Sequence, residues 1–325
     1  MSTPKFREGA SLYPDDYWGR VRHSYKLYHP KNLIYSDEQL LQLNKELKEY
    51  LRTGVTTRTN EELWNIYYIL KGNLHPETEK PVNKVFRWSA YVPANIPLII
   101  GISVLPPTTF NQIFFQSLNQ SYNFGNNVCN ASAANQKTTQ ETLISYFAAI
   151  TSAIVGSAGL RHFLLKKNFQ GPVGKGLLLF TPYIGLIFAS SVNLFFSRSK
   201  EVLEGIPINH PATNEQMPSL KSKVAAWDAF FDSWLIRVTI PIPLFVVPMV
   251  ASRWAAKNTQ FYKKTVPKLL FDASVVGATI WTALVFVISG FSTVGSKKLK
   301  HFEPHIKQAL KDYPEDTDIK FNKGL

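Results

Sequence analysis

The chain has 325 residues and a formal net charge of +13, an excess that suits nucleic acid, an anionic membrane surface or a set of basic loops. Placement decides among these: residues 89–136, 142–160, 176–197, 238–252 and 273–296 contain no Asp, Glu, Lys or Arg, which a soluble fold rarely tolerates and a bilayer requires over about 20 residues. Basic residues interleaved with stacking aromatics are missing, which excludes a nucleic-acid reader, and the single Cys129 excludes an intrachain disulfide.

Residues 1–88 read as a soluble helical region. The opening stretch carries Glu8, Asp15 and Asp16 without an apolar core. It fits neither a secretory signal nor an amphipathic transit peptide, so targeting is expected from internal segments. Ser36 and Gln39 form a capping box ahead of one helix, with Gly54 as its stop. Thr59 and Glu62 cap a second, which Gly72 is expected to end. Leu63, Ile66, Tyr67 and Leu70 recur at helical spacing, so that helix packs one face on a neighbour.

The first apolar span is read at 91–105, with Pro93 and Pro97 near its start. Residues 110–124 follow with an unusual pattern. Phe110, Ile113, Phe114, Leu118 and Tyr122 line one side, and Asn111, Gln112, Gln116, Asn119, Gln120 and Asn123 line the rest. Surface helices usually carry Lys and Glu on the polar face. An uncharged amide face suits either a membrane interface or a hydrated cavity within a bundle, and both readings stay open.

Span two covers 142–160, with Gly156 and Gly159 as small packing residues. Span three covers 176–196, interrupted by Pro182. Span four, 234–252, carries Arg237 and is broken by Pro241, Pro243 and Pro248. Prolines so close together imply a bent segment that protein must cover or that lines water. Span five covers 273–291. The expected fold is an all-α membrane protein with about five transmembrane helices, amphipathic helices and a helical N-terminal region. Its boundaries are 1–88, a bundle at 89–296 and a soluble C-terminal tail at 297–325. Five spans put Lys84, Arg87, Arg161, Lys166, Lys167, Lys175, Arg253, Lys257, Lys263, Lys264 and Lys268 on the N-terminal side. Lys137, Arg198, Lys200, Lys297, Lys298 and Lys300 fall opposite, so the N-terminus is expected on the positive side.

No nucleophile elbow, HExxH, P-loop or dinucleotide fingerprint occurs, so no enzyme chemistry is expected. His301 and His305 share a helix face without a third ligand. They read as part of a solvated tail, and no metal or cofactor is assigned. Arg237 is the most informative residue. A charge inside a span marks a functional site by default, and snorkelling to the nearby interface is the competing reading. Asn193 and Arg198 can add polar contacts from a neighbouring helix.

Several segments together resemble the sideroflexins. His75, Pro76, Glu77 and Thr78 resemble that family's HPDT motif. The run from Phe86 to Pro93 resembles FRMSAYVP, and Leu118 to Asn123, continuing to Asn127 and Asn130, resembles NQSFN...N...N. Asn193, Arg198, Glu201 and Gly205 to Pro207 resemble NIPLMRQRE and GIPV; Phe302 to Pro304 resembles LEPE. Arg237, Pro243 and Pro248 fall where SRI...P...PP would put them. Three departures stand out: Glu79 replaces the glycine of HPDTGE, Ser190 replaces an asparagine, and Phe195 replaces a proline. The resemblance implies a transporter of serine or a similar small neutral amino acid in the mitochondrial inner membrane. The N-terminus would lie in the matrix and the C-terminus in the intermembrane space. The implied binding residues are Asn119, Gln120, Asn123, Asn127, Asn193, Arg198 and Arg237. Decay of the motifs leaves a second expectation, a non-transporting accessory subunit of a respiratory-chain assembly. The implied partners are inner-membrane lipid, a small amino acid and respiratory-chain subunits.

Overall fold

A computed structural model describes residues 4–7, 11–106, 108–130, 138–167 and 171–324. Lys137 lies outside the described residues. The N-terminal unit holds α1 (Tyr17–Leu27), α2 (Asp37–Thr53) and α3 (Asn60–Asn73). Both expected capping boxes form, and Gly54 ends α2 at φ 72°. Helix α3 runs one residue beyond Gly72, whose backbone instead packs against Leu27 O. Leu40, Leu63, Trp64 and Ile66 close a small core around Phe6.

His75, Pro76, Glu77 and Thr78 make the turn after α3. The His75 Nδ1 accepts from the N–H groups of Glu77 and Thr78, each at 3.2 Å. Glu79, at the glycine position of the family motif, adopts φ 54°, the left-handed region where glycine is at no disadvantage. Its carboxylate accepts from Asn44 Nδ2 at 3.1 Å and pairs with Lys48.

Arg87 joins this unit to the rest. Its side chain is fully buried, donates to Val82 O at 2.8 Å and pairs with Asp37 at 2.5 Å. Two residues on, Ser89 donates to Asn73 Oδ1 at 2.7 Å. The run beginning at Phe86 is therefore a joint between two structural units.

The bundle contains α4 (Tyr91–Ile99, prolonged by a π turn, Ile100–Val104) and α5 (Thr109–Cys129). Helix α6 (Thr139–Ile154) passes through a π turn into α7 (Leu160–Lys166). Then come α8 (Pro172–Glu204), α9 (Lys223–Thr239), α10 (Pro241–Asn258) and α11 (Thr265–Ser289). Among the described residues, four helical stretches are long and apolar enough to cross a membrane: Gln140–Lys166, Gly176–Glu204, Lys223–Asn258 and Thr265–Ser289. They contain spans two to four and all but the last two residues of span five. The first expected span falls on a shorter apolar helix, Trp88–Val104.

Helix α5 fixes how the bundle returns on itself. Its 21 residues cover about 31 Å at 1.5 Å each, and it runs antiparallel to α4. Phe115 lies against Gly101 near the end of α4. Farther along, Tyr122 donates to Val85 O at 3.2 Å and Asn130 to Phe86 O at 3.0 Å, ahead of the start of α4. The chain has thus returned to the end it left. The N-terminal unit is fixed at that same end, where Arg20 Nε donates to Ser289 O at 2.9 Å and Ser292 to Asp15. The N-terminal unit and the described segment after α11 lie at one end of the bundle, which differs from the grouping of flanking charges made from five spans.

Helices α6 and α8 approach closely: a Cβ on Gly185 would sit 2.7 Å from Ala153 O, and one on Gly156 3.0 Å from Gly185 Cα. Gly159 meets nothing nearer than 3.9 Å, so of the two expected packing glycines only Gly156 serves this contact.

A second correction concerns the all-α class. Strands β1 (Ile206–Asn209), β2 (Gln216–Ser222), β3 (Val294–Lys298) and β4 (Asp318–Asn322) form an antiparallel sheet in the order β2-β1-β4-β3. A short helix, α12 (Pro304–Ala309), packs on it. Ile206 and Ile208 of β1 share a core with Ile319 and Phe321 of β4, Ile306 of α12 and the first turns of α9. Glu303 caps α9 from this unit, accepting from Val224 N–H and Ser222 Oγ at 2.8 Å each. That places negative charge at a helix N-terminus, where it is stabilising. His305 Nε2 lies 3.0 Å from Lys221 O, and no set of three or more metal-ligating side chains occurs among the described residues.

Candidate functional site

The site is built around two proline breaks. Pro182 has no N–H for the carbonyl of Leu178, and Thr181 Oγ1 serves that oxygen at 2.9 Å. Helix α5 then supplies amides to the same spot. Gln112 Nε2 donates to Thr181 Oγ1 at 3.1 Å and Gln116 Nε2 to Pro182 O at 2.9 Å. These bonds fix the amide face of α5 inward. Gln116, Asn119 and Gln120 are buried, while Phe110, Phe114 and Leu118 are exposed. The helix is inside-out for water: its amide face turns into the bundle, as the cavity reading expects, and its phenylalanines turn outward.

On the other wall, Trp234 Nε1 donates to Ser191 Oγ at 2.9 Å and Tyr183 OH to Val238 O at 3.1 Å. This locks α9 on α8 and sets the direction of Arg237. Pro241 has no N–H for the carbonyl of Arg237, and Pro243 none for that of Thr239, so two carbonyls at the α9–α10 junction lack their usual helical donor.

Between these walls lies a cavity of about 210 Å³. It is smaller than the roughly 300–1,000 Å³ of drug-sized ligand sites. Asn119, Gln120, Asn123 and Asn127 line it from α5, Asn193 from α8 and Arg237 from α9. Asn127 is exposed and stands at the rim. Arg237 Nη1 donates to Asn193 Oδ1 at 3.3 Å, and none of the ion pairs among the described residues includes Arg237. A guanidinium has five donors in a planar fork matched to a carboxylate. Most of that capacity is unused here. The rest of the polar lining is amide and hydroxyl, able to donate or accept, with no acidic side chain.

Of the seven residues expected to bind solute, six meet in this cavity and Arg198 does not. Arg198 is buried one turn nearer the sheet. Its Nε donates to Glu201 at 2.8 Å and its Nη1 to Ala229 O at 2.9 Å; it also bonds Ser233 and Lys323 O. It pins the C-terminal strand to the bundle. Sequence reasoning missed Tyr91, Asn95, Asn126 and Ser190, which complete the wall. Asn126 lies seven residues beyond Asn119 on the amide face, and that spacing was the available signal. Ser190 was noted only as a departure from the family pattern.

The fold and cavity together define a multi-pass helical membrane protein with a small polar chamber in its bundle. The chain belongs to the sideroflexins: the family model "Sideroflexins" matches residues 11–325. It is 29% identical to human Sideroflexin-5 over 99% of this chain and 94% of that protein. It is 30% identical to Sideroflexin fsf1 of Schizosaccharomyces pombe over 95% of each, and 27% identical to bovine Sideroflexin-3 over 94% of each. No solved structure matches it.

Proposed function

We propose that this chain carries serine or a similar small neutral amino acid across the mitochondrial inner membrane. The observation that supports this most is a guanidinium with no ion pair, turned into a small chamber of amides. A zwitterion complements both features. Its carboxylate takes the open fork of Arg237. Its ammonium meets the amide oxygens of Asn119, Gln120 and Asn123 and the carbonyls released by Pro241 and Pro243. The chamber size favours a short side chain. The lack of an acidic residue in the wall disfavours solutes with a net positive charge.

In this reading α4 and α5 also cross the bilayer, giving six passages. At the end of the bundle where α7 leads to α8 and α10 leads to α11, residues 161–175 and 253–268 include Lys166, Lys167, Arg253, Lys257, Lys263, Lys264 and Lys268 and no acidic residue. By the charge rule that end faces the matrix, with both termini in the intermembrane space.

Counterflow of labelled serine in liposomes holding the purified full chain tests the reading. Wild type is expected to exchange serine. Arg237→Ala is expected to lower the rate about 100-fold, the value of two charge-assisted hydrogen bonds. Absence of exchange by wild type, with a respiratory assembly defect in cells lacking the protein, would overturn transport and favour the accessory-subunit role.

A further inference from the structure

A second cavity, of about 270 Å³, continues the first along the same three walls. On α4 the lining passes from Asn95 and Ile99 to Ile102 and Ser103; on α8 it passes from Ser190 and Leu186 to Pro182 and Leu179. On α10 it passes from Leu244 to Phe245, Met249 and Ser252. Ile99, Leu186, Leu244 and Phe245 are all buried and form an apolar layer between the two spaces.

Ser252 and Tyr262, both in the wall of the second cavity, hold a buried acid. Asp272 of α11 is only 3% exposed. Its Oδ1 accepts from Ser252 Oγ at 2.8 Å and from Tyr262 OH at 3.0 Å, and its Oδ2 lies 3.2 Å from the same phenol. None of the ion pairs among the described residues includes it. Arg253 lines the cavity beside Ser252, and Lys268 stands over the Tyr262 ring at 5.3 Å. Where α4 packs on α11, Ile96 meets Gly277 without charge.

A carboxylate inside a bundle without a cationic partner is costly, and such residues mark ion and proton paths. The two partners here are hydroxyls, each able to donate or accept. Ionised, Asp272 accepts from both. Protonated, it donates to one of them after a simple rotation of the hydroxyl. The site therefore keeps its hydrogen bonds in both states, as a residue that gains and loses a proton in each cycle requires. Ser252 shares α10 with Leu244 and Phe245, and Pro248 interrupts that helix between Phe245 and Ser252. A change of charge at Asp272 alters the tie between α10 and α11 below the apolar layer.

We propose that Asp272 is the proton-coupling site of this carrier, an inference that rests on the transport reading above. A proton delivered by water in the second cavity binds a carboxylate oxygen to give the neutral acid, and release returns it to water. No other bond changes.

The test uses the full chain in liposomes with the membrane potential clamped, and reads serine accumulation under an imposed gradient of one pH unit. One proton moved per serine gives up to about tenfold accumulation, because one pH unit is a tenfold ratio. Wild type is expected to approach that ratio. Asp272→Asn keeps the shape and fixes the charge at zero. It is expected to retain counterflow within about twofold and to lose the response to the gradient. Tyr262→Phe, which removes one hydroxyl, is expected to shift the pH dependence of uptake. Wild-type counterflow that ignores the pH gradient, or follows a sodium gradient instead, would overturn this inference and leave transport standing. A gradient response that survives in Asp272→Asn would also overturn it. No counterflow at all would remove both.

Discussion

Arg198 on α8 and Arg237 on α9 belong to one charge layer near the sheet end of the bundle, yet their surroundings differ sharply. Arg198 spends its donors on Glu201, Ser233 and the carbonyls of Ala229 and Lys323. Arg237 makes one hydrogen bond among the described residues, a long one to Asn193. A buried guanidinium whose bonds are all made is a fastening. One whose fork is open inside a cavity keeps donors free, as the transport proposed above requires. The resemblance implies solute binding for both, and the contrast in bonding divides them into a fastening and a candidate binding group.

The strongest way to break this comparison is to remove each arginine and measure stability. Arg198→Ala strips the partners of Glu201 and two carbonyls and frees the C-terminal strand. A loss of about 3 kcal/mol is expected, within the range for breaking a buried pair. Thermal unfolding in detergent should show it as a clear drop in melting temperature. Arg237→Ala removes a charge with no ionic partner among the described residues and should change stability by less than about 1 kcal/mol while lowering exchange about 100-fold. Equal destabilisation by the two would erase the distinction.

The comparison sharpens at Gln116. Its amide nitrogen serves Pro182 O, while its buried Oε1 has no hydrogen-bond partner among the described residues. Gln116→Leu keeps the volume and removes the bond. The expected cost is about 1–2 kcal/mol, with exchange falling by less than Arg237→Ala causes. A gain in stability would mean that the amide is held for solute rather than for the bend in α8.

Much of this arrangement was legible in the sequence, for physical reasons. Spans two, three and five declared themselves as charge-free runs, and span four as one from residue 238 onward, because an unpaired charge in lipid is costly. The caps of α2 and α3 were legible because a capping box is local. The sheet was not. Its strands are four to seven residues long, and β1 meets β4 across more than a hundred residues of chain. Periodicity showed that α5 has two faces but could not say which points inward. That depends on Thr181 and Pro182, partners some seventy residues away. The grouping of flanking charges turned on that one helix, because its return along α4 places the N-terminal unit at the same end as the segment after α11.

A smaller effect concerns the N-terminal unit. Burial pushes the pKa of His23 down to about 4, and the nearby positive charge of Lys71 adds to the shift. The folded state then binds fewer protons than the unfolded chain between about pH 6.5 and pH 4. Stability is full above that window and falls as pH drops through it. Two and a half units correspond to about 3 kcal/mol at most, as a share of a local unit. Melting at pH 7 and pH 5 should show the loss, and His23→Gln should flatten it.

The smallest expected effect bears on whether a departure from the family pattern is decay or substitution. Glu79 stands in the left-handed region with φ 54°, where a side chain costs on the order of 1 kcal/mol. The glycine of the family motif would avoid that cost. Glu79 offsets part of it through Asn44 and Lys48, but both groups are largely exposed, and such pairs contribute from nothing to about 1 kcal/mol. Glu79→Gly should therefore be neutral or stabilise by a few tenths of a kcal/mol. Glu79→Ala keeps the strain and loses the bonds, so it should destabilise by up to about 1 kcal/mol. If glycine instead proves the worse of the two, the carboxylate is essential to the turn, and its loss of the family glycine is an exchange of one fastening for another, as at Arg198.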